Sequence, residues 1–141
     1  MILVYLREKH PPSNRMKKWF DQYADILDFE YIYINDHSKV TNQEITEIVQ
    51  LGDLYFDTVV GFRAKQFHPE EVEELYDLPY SKAITYLADR PYLLHLPLAH
   101  NHNILQCTAD VQGLERFLPS EYRQHLVLKE DGSTRMERKK A

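Results

Sequence analysis

Short apolar runs alternate with amphipathic segments along this chain, and that alternation most constrains its fold. Residues 2–6 form an apolar run with β-branched and aromatic members, which is typical of a buried strand. Pro11, Pro12 and Ser13 follow, and they predict a helix start with Ser13 as its cap, because proline is tolerated in the first helical turn. The sequence therefore predicts a strand that leads directly into a helix.

The first helix and the segment after it each have a recognisable period. Apolar side chains recur on one face of the helix at steps of three and four residues, so we expect this face to be buried. They are Met16, Trp19, Phe20, Tyr23, Ile26 and Leu27. Residues 29–34 are rich in aromatic and β-branched side chains, which predicts a second strand ending near Asn35. Thr41 and Glu44 have the spacing of a capping box and predict a second helix.

The second half of the chain predicts two further helices and a β-hairpin. An acidic run after Pro69 favours a helix start, because carboxylates complement the helix dipole there. Another short helix is expected over residues 81–88. Residues 94–99 and 104–107 are apolar runs joined by a polar segment, as in a hairpin. Residues 55–67 have no clear period and receive no assignment.

The composition is that of one folded domain with a charged end. A length of 141 residues suits a single domain, which we expect to cover residues 1–128 and to include a last helix capped by Asp110. Residues 129–141 are almost wholly polar and are predicted to be a disordered tail. Lys and Arg number 17 against 22 Asp and Glu, and this net charge of −5 disfavours a broad grip on phosphate backbones.

The cysteine content and the first residues bear on the compartment. Cys107 is the one cysteine of the sequence, so no intramolecular disulfide can form. The apolar run at residues 2–6 is far too short for a membrane span, and no basic leader precedes it. We therefore expect a cytoplasmic protein that does not bind a membrane.

Three segments resemble motifs of one protein family in their order and spacing. Residues 63–67, Arg-Ala-Lys-Gln-Phe, resemble an Arg-Ser-Lys-x-Phe stretch. Residues 89–98 resemble a Pro-x-Leu-Leu-x-Arg-Pro segment, and residues 114–119 resemble an Arg-Arg-Phe-Leu-Pro element. The family is that of Spx and the arsenate reductases, and the resemblance extends over roughly residues 1–125. It implies an α/β fold, namely a thioredoxin-like mixed sheet with a helical insertion, in which Pro97 is the cis-proline beside the functional loop.

The residues at the family's thiol positions separate its regulatory branch from its enzymatic branch. His10 and Ser13 stand where the resemblance places the two cysteines. A helix N-terminus stabilises a thiolate, and neither an imidazole nor a hydroxyl can form the covalent intermediate in its place. Leu96 replaces an arginine that holds the oxyanion in the reductases, and Arg63 is the anion-binding residue of that set that remains. We therefore expect no enzymatic activity and no catalytic residue.

The resemblance leans towards Spx, because the Arg-x-Lys-x-Phe and Phe-Leu-Pro motifs occur together. It implies a regulator that binds the C-terminal domain of the RNA polymerase α subunit, contacts promoter DNA only indirectly and needs no cofactor. We expect the contact surface to combine the first helix with the break after the second helix. Its residues are Arg15, Lys18, Gln50, Leu51, Gly52, Asp53 and Tyr55. Spx-like proteins carry a glycine in this contact, so the bulk of Tyr55 either remodels the contact or indicates a different partner.

Two alternatives stay open beside this regulator. One is a degenerate arsenate-reductase-like or glutaredoxin-like oxidoreductase that keeps an anion site around Arg63 and the start of the first helix. The other is a paralogue that competes with an active Spx protein for the polymerase. No metal site is expected, because the alternation of a hairpin would spread His95, His100 and His102 over different faces. Cys107 lies in an apolar run and is expected to be a small buried hydrophobe.

Overall fold

The computed structural model describes residues 1–53 and 55–122 of the chain, which form a mixed sheet covered by helices. The strands are β1 (Ile2–Leu6), β2 (Phe29–Tyr33), β3 (Leu98–His100) and β4 (Leu105–Gln106). The α-helices are α1 (Pro11–Gln22), α2 (Asn42–Leu51), α3 (Phe56–Val59), α4 (Phe62–Phe67), α5 (Pro69–Asp77), α6 (Tyr80–Asp89) and α7 (Val111–Leu114). The predicted fold class is confirmed, and helices α2 to α6 are the predicted insertion between β2 and β3.

Strand β1 lies inside the sheet, whose strand order is β2-β1-β3-β4. It pairs in parallel with β2, with Ile2 opposite Phe29, and antiparallel with β3, with Tyr5 opposite Leu98. Strands β3 and β4 form the predicted hairpin. Because a parallel pair needs a crossover connection, α1 carries the chain from β1 back to the start of β2.

The side chains of β1 alternate between two apolar cores, one on each face of the sheet. Ile2, Val4 and Leu6 pack with α1 and α7, whereas Tyr5 packs with helices α2 to α6. This alternation follows from the two-residue period of a strand. Helices α1 and α2 therefore cover opposite faces of the sheet. Their exposed surfaces lie on opposite sides of the molecule.

The starts of the first two helices differ in how they are capped. The capping box of α2 is confirmed, because the Glu44 backbone N–H donates to Thr41 Oγ1 at 3.1 Å. The prediction that Ser13 caps α1 is wrong. His10 is the N-cap residue, and Ser13 lies within the first turn with its side chain buried. The two prolines occupy the first two helical positions, so Ser13 is the third residue of the helix, three positions past the N-cap.

Several boundaries differ from the sequence-based expectations. Helix α1 ends at Gln22, so Ile26 lies beyond the helix and is 40% exposed. Residues 55–67, which received no assignment, contain the short helices α3 and α4. His100 was expected in the hairpin loop, but it belongs to β3 and is buried. Asp110 caps α7 as predicted, since the Gly113 N–H donates to its Oδ2 at 3.1 Å.

The predicted tail at residues 129–141 lies outside the described residues, as does the predicted domain boundary at residue 128. Within the described ranges, none of the helices combines the length and the apolar character needed to cross a lipid bilayer.

Candidate functional site

A cavity of about 340 Å³ opens where β1 ends and α1 begins. We call it the arginine cavity. The polar and functional residues that line it include Arg7, His10, Arg15, Arg63, His95, Pro97 and Cys107. Three guanidinium groups therefore face one space, and no carboxylate is among the described residues that line it.

The loop between β1 and α1 holds its side chains through Ser13. The Arg7 backbone N–H donates to Ser13 Oγ at 3.0 Å, and His10 Nδ1 lies 2.8 Å from the same oxygen. Lys9 adopts a left-handed backbone conformation, with φ of 53°, in the tight turn before the helix. The two residues at the family's thiol positions are thus bonded to each other, and both belong to the scaffold of the loop.

Arg7 is the guanidinium most confined by the protein. Burial lowers the pKa of Arg7, the nearby charge of Arg63 lowers it further, and Asp36 opposes both effects. One Nη of Arg7 donates to the Tyr92 carbonyl at 3.4 Å, a long contact. Its Nε is buried and has no hydrogen-bond partner among the described residues. A buried donor without a partner is costly, so an acceptor group bound near Arg7 would be favoured.

The two histidines of the arginine cavity are neutral at neutral pH. Burial lowers the pKa of His10 most, and Arg7 and Arg63 lower it further. Burial also lowers the pKa of His95, against a smaller opposing contact with the Cys107 backbone. The positive charge of the cavity therefore comes from its arginines. Guanidinium groups bind oxyanions with paired, directional hydrogen bonds, so the cavity suits a small oxyanion or a carboxylate.

Cys107 lines the arginine cavity but is a poor nucleophile. Burial raises the pKa of its thiol to about 11, and the charge of Arg116 opposes this only in part. Since the thiolate is the reactive form, very little of Cys107 can react at neutral pH. The side chain is only partly buried, and it packs against the core on the α2 face as expected of a small hydrophobe.

The cis-proline that the resemblance implies is present. The Leu96–Pro97 peptide bond is cis, and Pro97 lines the arginine cavity. Leu96, which replaces the arginine of the reductases, is 8% exposed and contributes an apolar wall. Arg63 also lines the cavity, and its guanidinium carbon lies 4.9 Å from the ring centre of Phe67.

The predicted partner surface is not gathered at one place. Arg15 and Lys18 are exposed on α1, and Gln50, Asp53 and Tyr55 are exposed at the end of α2, on the opposite face of the sheet. Leu51, the last residue of α2, is half-buried.

Gly52 cannot be a direct contact, because it is buried. A Cβ at Gly52 would lie 3.1 Å from Thr58 Cγ2, so the glycine permits α3 to pack closely on the end of α2. Its predicted contact role is corrected to a packing role. Asp53 follows it with a left-handed φ of 63°.

Sequence reasoning missed Arg7 and His95 as site residues. Arg7 directly follows β1, and the end of a central strand is where an α/β sheet exposes functional groups, so that signal was available. His95 reaches the cavity from the segment before Pro97, and its closeness in sequence to Leu96 and Pro97, which the resemblance placed beside the functional loop, was the available signal.

A second cavity, of about 380 Å³, lies at the other end of β1. We call it the carboxylate cavity. Glu44, Glu47, His100 and His102 line it. His100 is 2% exposed, and its Nδ1 lies 3.7 Å from Glu47 Oε1. Tyr5 donates its hydroxyl hydrogen to Glu44 Oε1 beside it. Burial lowers the pKa of His100, and Glu47 opposes that shift.

The fold is shared with solved structures of low sequence identity. No family model matches the chain. A Staphylococcus aureus protein solved by NMR is 16% identical, with a TM-score of 0.64 over 83% of this chain and 98% of its own. A Streptococcus mutans protein described as a possible arsenate reductase is 19% identical, with a TM-score of 0.60 over 77% and 90%.

A Bacteroides fragilis protein described as related to the ArsC family is 17% identical, with a TM-score of 0.63 over 82% of this chain and 96% of its own. At these identities the similarity establishes the fold alone. The fold is the ArsC-like form of the thioredoxin fold.

Proposed function

We propose that this protein is a non-enzymatic regulator that docks on the C-terminal domain of the RNA polymerase α subunit and modulates transcription without a thiol switch. The observation that carries the proposal is the contact between His10 Nδ1 and Ser13 Oγ, 2.8 Å, at the helix start where dithiol chemistry would need cysteines. The protein then acts by binding, because the loop between β1 and α1 is present but carries no cysteine thiol.

The state of Cys107 supports the same proposal. It is the one cysteine of the sequence, and burial raises its pKa to about 11. A switch between thiol and disulfide needs a second cysteine or an accessible thiolate. The chain supplies neither, so partner binding is expected to be insensitive to redox conditions.

The exposed residues after α2 support docking on a protein with basic side chains. Asp53 and Asp57 are exposed there, and Tyr55 is 67% exposed. The whole chain carries a net charge of −5, and opposite potentials accelerate encounter and fix orientation.

Isothermal titration of the full chain with a purified bacterial RNA polymerase α C-terminal domain, with and without reductant, tests the proposal. We expect saturable binding with equal affinity in both conditions. The Asp53→Asn variant removes the charge and tolerates the left-handed backbone, so it should bind about two- to fivefold more weakly. Asp25→Asn is the matched control on the other side of the molecule and should bind normally. Absence of binding at high micromolar concentration would refute the proposed partner.

A second candidate function is the binding of a small oxyanion in the arginine cavity, as in a degenerate reductase. The observation that favours it is the convergence of Arg7, Arg15 and Arg63, with Arg7 Nε buried and lacking a hydrogen-bond partner among the described residues. Phosphate or arsenate should raise the melting temperature above that in chloride of equal ionic strength. Equal melting temperatures in all three salts would remove this candidate.

A further inference from the structure

A shallow cavity of about 250 Å³ lies on the surface formed by α3 and α5, away from the arginine cavity. Tyr55, Phe56, Asp57 and Tyr76 line it. Three of these four residues are aromatic and the fourth is a carboxylate. We call this group the aromatic cage.

The two tyrosine rings of the aromatic cage are exposed, whereas Phe56 packs partly against the core. Tyr55 is 67% exposed and Tyr76 is 44% exposed. The ring centre of Phe56 lies 5.8 Å from that of Tyr80, which is itself 45% exposed and extends the aromatic surface. Contiguous exposed aromatic surface on a soluble fold is typical of a site that receives a ligand or a partner.

Asp57 places a negative charge at the edge of this aromatic surface. Its side chain is 77% exposed, and Tyr76 donates its hydroxyl hydrogen to Asp57 Oδ1 at 2.5 Å. This hydrogen bond fixes the Tyr76 ring as a wall and leaves the remaining acceptor positions of the carboxylate open. Burial and the bond to Asp57 raise the pKa of Tyr76, so its hydroxyl keeps its proton at neutral pH.

We propose that the aromatic cage binds the guanidinium or ammonium group of an arginine or lysine side chain that a partner protein presents. A cation over an aromatic face is attracted by the negative face of the ring, and a carboxylate within reach adds a charge-assisted hydrogen bond. The cage deepens the proposed function, because it states which chemistry the docking partner must supply at Tyr55.

Lys65 provides an internal check on this assignment. Its Nζ lies 3.9 Å from Asp57 Oδ1, and its side chain is 43% exposed. The carboxylate of Asp57 thus already attracts a cation from α4. An incoming cation competes with Lys65 for Asp57. Removal of the Lys65 charge should therefore strengthen binding at the cage, whereas removal of a positive charge far from Asp57 should not.

Amide NMR of the full chain, titrated with single-residue probes, tests the cage without any partner protein. The probes are N-acetyl-arginine methylamide, N-acetyl-lysine methylamide and their neutral analogue N-acetyl-citrulline methylamide. We expect the arginine or the lysine probe to shift the resonances of Tyr55, Asp57 and Tyr76 at millimolar concentration, and the citrulline probe not to shift them. A comparison of the shifts caused by the arginine probe and by the lysine probe distinguishes guanidinium recognition from ammonium recognition. Equal shifts by all three probes, or none, would overturn the proposal.

Three variants assign the shifts to the cage. Tyr55→Ala should abolish them, and Lys65→Gln should lower the apparent dissociation constant about two- to threefold. Tyr33→Ala is the matched control, because Tyr33 is 44% exposed on β2 and lies outside the cage. Wild-type spectra elsewhere in each variant establish that the fold is retained. Binding that survives Tyr55→Ala would overturn the assignment.

The α C-terminal domain then separates this inference from the proposed function. If the cationic probes bind the cage and the polymerase domain does not bind the chain, the cage stands and the proposed partner is wrong. If the polymerase domain binds wild type and Tyr55→Ala equally, the proposed function stands and the docking role of the cage is wrong. Loss of binding in Tyr55→Ala alone supports both.

Discussion

The two ends of β1 hold cavities of similar size and opposite charge. At the end where β1 enters α1, His10 is surrounded by arginines, whereas at the other end His100 faces Glu47. Burial lowers the pKa of both histidines, although Arg7 assists the shift at one end and Glu47 opposes it at the other. Burial therefore decides the protonation of these histidines, and the neighbouring charges decide which ligand each cavity can accept.

The two ends also differ in the groups that they present to a ligand. At the arginine end lie the loop between β1 and α1, the cis Leu96–Pro97 bond and the guanidinium groups of Arg7, Arg15 and Arg63. At the carboxylate end Glu44 is already engaged, since Tyr5 and Thr41 both donate to it. Among the described residues, each end leaves buried nitrogens without a hydrogen-bond partner: Arg7 Nε at the arginine end, and both ring nitrogens of His100 at the carboxylate end.

The largest expected effect concerns Cys107. At this side chain, burial raises the pKa of the thiol more than the nearby charge of Arg116 lowers it. Its pKa of about 11 predicts alkylation by iodoacetamide at pH 7 about a hundredfold slower than for the unfolded chain. The rate in the presence and absence of urea, followed by mass spectrometry, checks this. A rate in the folded protein equal to that of the unfolded chain would contradict the suppression of the Cys107 thiolate by burial.

The next effect is on phosphate affinity, which should depend on the arginine cavity and not on the carboxylate cavity. Arg63→Gln should weaken phosphate binding about tenfold, because one charge-assisted contact is lost from the arginine cavity. Glu47→Gln is the matched change at the carboxylate end and should leave phosphate affinity unchanged. Isothermal titration at constant ionic strength measures both. A similar loss in both variants would mean that phosphate responds to net charge and not to a site.

The pH dependence of the unfolding free energy tests whether burial keeps the histidines at both ends of β1 neutral. The pKa values of His10, His95 and His100 are lowered in the folded state, so the unfolded chain binds more protons as the pH falls. The free energy of unfolding should therefore decrease from pH 7.5 to pH 5, as measured by urea denaturation. His100→Gln should reduce this dependence. His37→Gln, at an exposed turn, should not change it, and an equal change in both variants would contradict the assignment to buried histidines.

The smallest expected effect lies in the polar contact at the carboxylate end. Tyr5 is fully buried, and its hydroxyl donates to Glu44. Tyr5→Phe should cost about 1 kcal/mol of unfolding free energy, because one hydrogen bond to a charged group is lost. Tyr33→Phe, at an exposed position, is the control and should cost close to nothing. A neutral Tyr5→Phe change would mean that the contact does not stabilise the fold.

Local patterns in the sequence were sufficient for most of the fold. The apolar run of β1, the capping box at Thr41 and the cap at Asp110 each depend on neighbouring residues, and each was predicted from the local sequence. The short helices α3 and α4 were not predicted, because four- and six-residue helices are too brief to display a period. The prediction for Ser13 was wrong because the helix already includes both prolines, so its N-cap is His10, three positions earlier.

The candidate site was only partly accessible from the sequence. Arg63 and Pro97 were found through the resemblance, but Arg7 and His95 join the cavity from separate segments that the fold brings together. The aromatic cage joins the consecutive residues Tyr55, Phe56 and Asp57 to Tyr76 of α5, and only the fold brings Tyr76 beside them. Gly52 was assigned to a contact although it serves packing against Thr58, since exposure cannot be read from residue type.

In the function proposed above, the protein acts by binding and not by thiol chemistry. An arsenate reduction assay coupled to thioredoxin or glutaredoxin, with the wild type and the Cys107→Ser variant, tests it most directly. We expect no turnover above the protein-free blank for either form, with an active reductase as the positive control. Turnover by the wild type would contradict the claim, and its survival in Cys107→Ser would locate the activity at the His10 and Ser13 loop.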